Sequence, residues 1–207
     1  MSSPAWPPSN ALWCVLLAAG GSRRLGYPKQ LVRDPVRPLM LRAMDAAQAV
    51  MPGRVLVVLG AHSLRLRALL ARNYAGIPVV KNAGWQDGIA GSLVAGVGAV
   101  PREASGVLVL LSDQPDLRAA SLQRLVDVWQ RRPGQPVAAG YAGDFGVPVI
   151  LPRRLWPQLR SLQGDAGARA ILRSAGSRMR IVTMPEAAFD VDTEQDRERL
   201  VSGAFRR

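Results

Sequence analysis

The chain is expected to be an α/β protein with a mostly parallel central sheet flanked by helices. Two observations predict this: short β-rich apolar runs alternate with helical stretches four times before residue 132, and two of those runs are apolar without a break. Alternation of this kind marks βαβ units. Unbroken apolar strands are those covered on both faces.

In order, the strands and helices pair as residues 13–18 with 39–50, 54–59 with 64–71, 77–81 with 92–100, and 107–111 with 119–131. Residues 55–59 and 107–111 carry the unbroken apolar runs, so they are assigned to the centre of the sheet. After Pro136 the pattern changes. Residues 137–141 and 147–151 flank a short turn containing Gly143 and Asp144, which reads as a hairpin. A helix over 169–174, a strand over 180–183 and a helix over 194–201 complete the order. Thr193 before Glu194 and Asp196 reads as an N-cap with acids in the first turn.

At 207 residues and 48% hydrophobic composition the chain can bury one sizeable core, so one domain is expected over 13–202. Residues 1–12, rich in Pro and Ser, are expected to be a flexible N-terminal segment, and 203–207 a basic tail. No apolar run reaches the roughly 18 residues of a membrane span, and the N-terminus lacks the charged start and apolar centre of a signal peptide. The sequence therefore predicts a cytoplasmic protein without a membrane partner. Cys14 is the only cysteine and falls in the first strand, so it reads as a buried thiol rather than a disulfide partner. With one Cys and one His, His62, there is no zinc cluster, and no serine stands in a nucleophile-elbow context. His62 reads as a helix-start residue.

The net charge of +12 would attract polyanions. The arginines are scattered through helices and the C-terminus, aromatic residues make up only 5%, and no nucleic-acid motif is present. A small polyphosphate is the better partner, and nucleic acid is not expected.

In open parallel sheets, ligands gather beyond the carboxyl ends of the strands. Three segments fall there. The first is the loop containing Leu17, Ala18, Ala19, Gly20, Gly21, Ser22, Arg24 and Lys29. Its glycines let backbone N–H groups approach phosphate oxygens, while Arg24 offers a planar fork and Lys29 a point charge. It matches neither G-x-x-x-x-G-K-[ST] nor G-x-G-x-x-G, so it is not a standard P-loop or dinucleotide fingerprint. The second segment carries Asp113, which reads equally as a magnesium ligand or as a turn residue capping a helix. The third carries Asp190 and Asp192, which point the same way in an extended segment. They can share a divalent ion or form an Asx turn. Taken with Asp113, a metal site is the better reading.

The loop fits L-A-A-G-x-S-x-R-x-G-x-x-K, which resembles nucleotidyltransferases that activate molybdenum cofactor and sugar phosphates. Later segments run in the same order: Asn82, Trp85 and Gly88 leading to Ser92; Leu111, Ser112, Asp113, Gln114 and Pro115; Gly164, Asp165 and Arg169; and Asp190 with Asp192. Over residues 13–200 the set is most similar to the molybdenum cofactor cytidylyltransferase family. The resemblance implies a Rossmann-like nucleotidyltransferase fold and transfer of CMP from CTP to molybdopterin, releasing pyrophosphate and forming molybdopterin cytosine dinucleotide. It implies catalytic roles for Arg24, Lys29 and Asp113, with Mg2+ held by Asp113 and Asp190 and less firmly by Asp192. Nucleotide contacts would come from the loop with Asn82, Gly88, Ser92 and Asp113. Acceptor contacts would come from Trp85, Gln114, Pro148, Gly164, Asp165 and Arg169. Ala19 stands where the guanylyl branch carries a second glycine, which favours CTP over GTP. Guanylyl transfer to the same cofactor, transfer to a sugar phosphate or other small phosphorylated acceptor, and a non-catalytic delivery chaperone are the competing readings. A recipient molybdoenzyme is the protein partner that the resemblance implies.

Overall fold

The computed structural model describes residues 11–165 and 167–202. Its first half is built by three parallel strands and their crossovers: β1 (Leu12–Ala18), α1 (Leu39–Val50), β2 (Val55–Leu59), α2 (Ser63–Asn73) and β3 (Val79–Lys81). The chain then returns through α3 (Ile89–Gly98) to β4 (Gly106–Leu111) on the other side of β1. After α4 (Ala119–Arg131) come β5 (Val137–Tyr141), β6 (Asp144–Pro152), α5 (Trp156–Leu159), α6 (Arg169–Ala175), β7 (Arg180–Thr183) and α7 (Glu194–Ser202).

The seven strands lie in the order β3-β2-β1-β4-β6-β5-β7. β6 runs antiparallel to both β4 and β5, and every other pairing is parallel. β4 occupies the middle of the sheet as expected, whereas β2 lies one strand in from the edge. All five residues of β2 are nevertheless buried, because helices cover both faces. On one face Met40 and Met44 of α1, Leu66 and Leu70 of α2, and Leu122, Leu125 and Trp129 of α4 pack on Cys14, Leu16, Val57 and Leu108. On the other, Leu93 and Val97 of α3, Leu159 of α5 and Ile171 of α6 pack on Val15, Leu56, Val58 and Val109. Gly96 lets α3 approach this closely, since a Cβ there would lie 2.5 Å from Val15 Cγ1. Cys14 is fully buried and its thiol is pushed up to about 12 by burial.

Several boundaries depart from the sequence reading. Ala11 and Leu12 were expected in the loose N-terminal segment, but both are buried and Leu12 opens β1. Residues 1–10 and the basic tail over 203–207 lie outside the described residues. The hairpin turn is Ala142-Gly143, with φ of 50° and 75°, and Asp144 already pairs with Tyr141 in β6. Two positive φ values are what a type I′ turn requires to match strand twist. α3 starts earlier than predicted, at Ile89, and α5 was not anticipated. Among the described residues no helix is long and apolar enough to cross a membrane.

The order reverses between β1 and β4, which makes their carboxyl ends the topological switch point of the sheet. Leu17 is the register partner of Leu111, so the glycine-rich loop and the segment carrying Asp113 emerge side by side.

Candidate active site

A cavity of about 510 Å³ opens at this switch point. Its walls bring together Leu17, Ala18, Ala19, Gly20, Gly21, Arg24 and Lys29 from the loop after β1, Gly88 and Ser92 at the start of α3, and Asp113, Asp190 and Asp192. The loop is folded on itself by Ser22, whose carbonyl accepts from the N–H of Leu25 and Gly26 at 3.2 and 3.0 Å. The Ser22 hydroxyl accepts from the Lys29 N–H at 3.0 Å, which brings Lys29 back toward the strand end. Ser22 therefore shapes the loop rather than lining the cavity.

Gln30 supplies a restraint that the sequence reading missed. It is 1% exposed, and its Nε2 donates to the carbonyls of Ala18 and Gly20 at 3.2 and 3.0 Å. These bonds tie the two ends of the Ala-Ala-Gly turn together. A Cβ on Gly20 would meet nothing within 4 Å, which leaves its backbone open to a ligand, whereas one on Gly21 would lie 2.7 Å from the Trp85 ring. Trp85 was expected at the acceptor, but its ring is seated against Gly21 and lines the first cavity. Asn82 was expected to touch nucleotide. Its Nδ2 donates to Ser92 Oγ and its Oδ1 accepts from Gly84 N–H, both at 3.0 Å, so it holds the loop before α3 instead.

The charges of the cavity are interlocked. Lys29 Nζ, on a side chain 18% exposed, pairs with Asp113 Oδ2 and with Asp192 Oδ1, the latter at 2.7 Å. Arg24 Nη2 reaches Asp192 Oδ2 at 2.6 Å. Burial acts to lower the Lys29 pKa, but the carboxylates of Asp113 and Asp192 outweigh it and hold the ammonium up at about 12. Val191 anchors the acidic segment: its side chain is buried with Val32, Leu39 and Leu200, and its N–H donates to the Asp113 carbonyl at 3.0 Å. With Val191 turned inward, Asp190 and Asp192 both border the cavity, as the period-two reading predicts. Beyond them, Asp196 Oδ2 accepts from Thr193 N–H at 2.9 Å, and Thr193 Oγ1 accepts from Asp196 N–H at 3.2 Å. This reciprocal pair is a capping box on α7.

Asp190 opens onto the cavity, yet the protein around it displaces hydration and the Asp113 charge repels its own. Together these push its carboxyl up to about 7. Asp113 Oδ1 is buried without a hydrogen-bond partner. Two neighbouring carboxylates with one orphaned oxygen form a hard donor set of the kind that suits Mg2+. Among the described residues no group of three or more His, Cys, Asp or Glu side chains could hold a metal. A magnesium ion here would therefore take its remaining ligands from substrate phosphates and water, as this ion commonly does.

A second cavity of about 400 Å³ continues from the first and shares Ile89, Leu111, Asp165 and Asp190 with it. Gln114 and Arg169 line it, and Asp165 lines both. Pro148 does not: it is buried within β6 and lines neither cavity. Gly164 lines neither as well, because its carbonyl accepts from Ala90 N–H at 3.1 Å and closes the start of α3. Arg23, Gln86 and Ile89 border the first cavity without having been singled out, and Ser112, named above only as part of its segment, borders it too. Ser112 was legible from its place beside Asp113. Ile89 and Gln86 carry no chemical signature of their own.

Residues 14–180 match the MobA-like NTP transferase domain. The chain belongs to that family. Its MobA-like fold is also that of the crystal structure of Rv0371c from Mycobacterium tuberculosis H37Rv, which is 30% identical with a TM-score of 0.81 and covers 94% of this chain and 99% of that one. A manganese complex of the same mycobacterial protein, at 26% identity and a TM-score of 0.75, covers 93% of this chain and 98% of that one. Purine catabolism protein PucB of Bacillus subtilis is 29% identical over 168 residues, 77% of this chain and 80% of PucB. The bifunctional protein GlmU of Burkholderia thailandensis is 35% identical over 186 residues, which is 85% of this chain and 34% of GlmU. The chain thus spans about a third of that bifunctional relative. As a MobA-like NTP transferase, the protein is a nucleotidyltransferase by family.

Proposed function

We propose that the chain transfers CMP from CTP to the terminal phosphate of molybdopterin, releasing pyrophosphate and forming molybdopterin cytosine dinucleotide. The observation that carries this reading is the convergence of the Ala18-Ala19-Gly20-Gly21 loop, Lys29, Asp113 and Asp190 on one cavity that continues into a second. A phosphate monoester has a second pKa near about 6 and is largely ionised at neutral pH, so no protein nucleophile is required. An acceptor phosphate oxygen attacks the α-phosphorus and forms the new P–O bond. The α–β bridging bond breaks, and its electron pair leaves on pyrophosphate.

The protein's part is to position the reactants and neutralise charge. Lys29 has three donors; Asp113 and Asp192 take two, and the third can reach a phosphate oxygen. Arg24, mostly solvent-facing on the cavity wall, would meet the departing pyrophosphate. Asp113 and Asp190 would hold Mg2+, which when bound supplies Lewis-acid neutralisation of the phosphate oxygens. The manganese complex of the mycobacterial relative supports a divalent ion in this fold. Ala19, which borders the cavity, supports CTP by standing where the guanylyl branch carries a second glycine. Transfer of the product to a recipient molybdoenzyme belongs to the same reading.

The test is incubation of purified protein with Mg2+, molybdopterin and either CTP or GTP, following pyrophosphate and the nucleotide-linked pterin. Product with CTP is expected. Product with GTP alone would move the protein to guanylyl transfer, and turnover only with a sugar phosphate would replace the acceptor.

A further inference from the structure

The second cavity has a polarity that the proposed reaction does not itself require. Its boundary with the first cavity carries Asp165 and Asp190, whereas Arg169 and Arg173 line only the second. The two arginines are four residues apart on α6 and so share a helix face, where like charges repel. Asp144 answers both, at 3.6 Å from Arg169 and 3.8 Å from Arg173. These separations exceed hydrogen-bond length. The side chains of Arg169, Arg173 and Asp144 are 51%, 66% and 45% exposed, so the pairs contribute little stability and separate readily. One loosely held carboxylate against two guanidinium groups leaves a net positive seat.

The walls between are apolar, with Leu111, Val147, Val149 and Leu172. Two polar side chains among them are turned onto the protein's own backbone. Gln114 Nε2 donates to the carbonyls of Val147 and Ala187 at 3.1 and 2.8 Å, and the Tyr141 hydroxyl donates to the Val147 carbonyl at 3.2 Å. The apolar stretch itself offers hydroxyl groups no partners, leaving Asp165, Asp190 and the unpartnered Gln114 Oε1 as the acceptors of this cavity, whereas a flat apolar-faced ring loses nothing against it.

We propose that Arg169 and Arg173 bind a second anionic group of the acceptor, displacing Asp144, and that the acceptor joins a flat ring body to that distal anion. The proposal rests on the acceptor reading proposed above and deepens it by naming the residues that seat a second charge of the acceptor. Bidentate recognition of carboxylate or phosphate is the strength of guanidinium.

The probe is pterin-6-carboxylate, followed by its own fluorescence, with uncharged pterin and glucose 1-phosphate as comparisons. Wild-type protein should bind the carboxylate at least tenfold more tightly than either comparison. Arg173→Ala and Arg169→Ala should each weaken it about tenfold, and Arg173→Lys should recover part of the loss. Asp144→Asn should tighten binding about threefold, a gain that damage to the fold would not produce. CTP affinity, measured by calorimetry, should be the same in all four variants. Equal binding of pterin and its carboxylate, tighter binding of glucose 1-phosphate, unchanged affinity in Arg173→Ala, weaker binding in Asp144→Asn, or no binding to wild type would each overturn the proposal. Charge-dependent probe binding in a protein that makes no pyrophosphate from CTP and molybdopterin would overturn the reaction and support the seat.

Discussion

In the first cavity, Lys29 is wedged between Asp113 and Asp192. In the second, Arg169 and Arg173 share the half-exposed Asp144 across 3.6 and 3.8 Å. The chemical groups are alike and their surroundings are not. Charges at the first place have lost hydration, so they depend on one another's geometry and are fixed before substrate arrives. Charges at the second keep much of their hydration, so their pairing can be exchanged for a ligand at little cost. One fold thus sets a rigid charge cluster beside an exposed and exchangeable one.

The sharpest way to break this comparison is Asp113→Ala. It removes a carboxylate at the reaction centre, and turnover should fall about 1,000-fold, the size seen when preorganised electrostatic stabilisation is lost. Circular dichroism should be unchanged, and substantial residual turnover with Mg2+ would remove Asp113 from the centre. Lys29→Met leaves two acids without their shared cation. Denaturant titration should register a loss of about 3 kcal/mol at neutral pH, the lower end for breaking a buried pair from one side. Because the folded pKa of Lys29 is raised, its contribution is complete below its ordinary 10.5 and is lost as pH rises through about 12. The stability gap should therefore stay flat around neutrality and close only in strong alkali.

Ala19→Gly asks whether the rigid end also selects the base. CTP-to-GTP selectivity in kcat/KM should fall about tenfold, within the range of about 1 to 3 kcal/mol for one methyl group. Unchanged selectivity would acquit Ala19. The smallest expected effect sharpens the comparison from the other side. Asp144→Asn, at an exposed ion pair, should change the unfolding free energy by less than about 0.5 kcal/mol, and a loss near that of Lys29→Met would show that the two ends are built alike.

Much of this architecture was legible before any coordinate. α1, α4, β5 and β7 fall on the residues that the sequence marks, α1 and α4 because they are long and β5 because it is apolar, whereas the short and largely exposed β7 is marked by its β-branched run alone. β6 was read four residues short, three at its start, where Gly146 interrupts the apolar run, and one at its end. Only pairing with β5 makes Asp144 a strand residue. α5 is a four-residue helix with Leu159 buried, too short for any period to register. Within the site, Gly20, Lys29, Asp113 and Asp190 were legible because glycine, lysine and carboxylate each have few uses at a strand end. Gln30 was not, since a neutral amide is equally at home on a surface; its meaning lies in the two carbonyls that it bridges.

The sequence by itself determined the βαβ alternation, the buried strands and the loop that marks a nucleotide-handling protein. These follow from local periodicity and from the few residue types able to face phosphate or metal. The tertiary structure alone decided which charges meet. Lys29 and Asp192 lie 163 residues apart and touch because β1 and β4 adjoin and Val191 docks against Asp113. Arg173 and Asp144 meet only because α6 lies over the β5–β6 hairpin. Burial and proximity set the strength of an ionic contact, and both are properties of the folded chain.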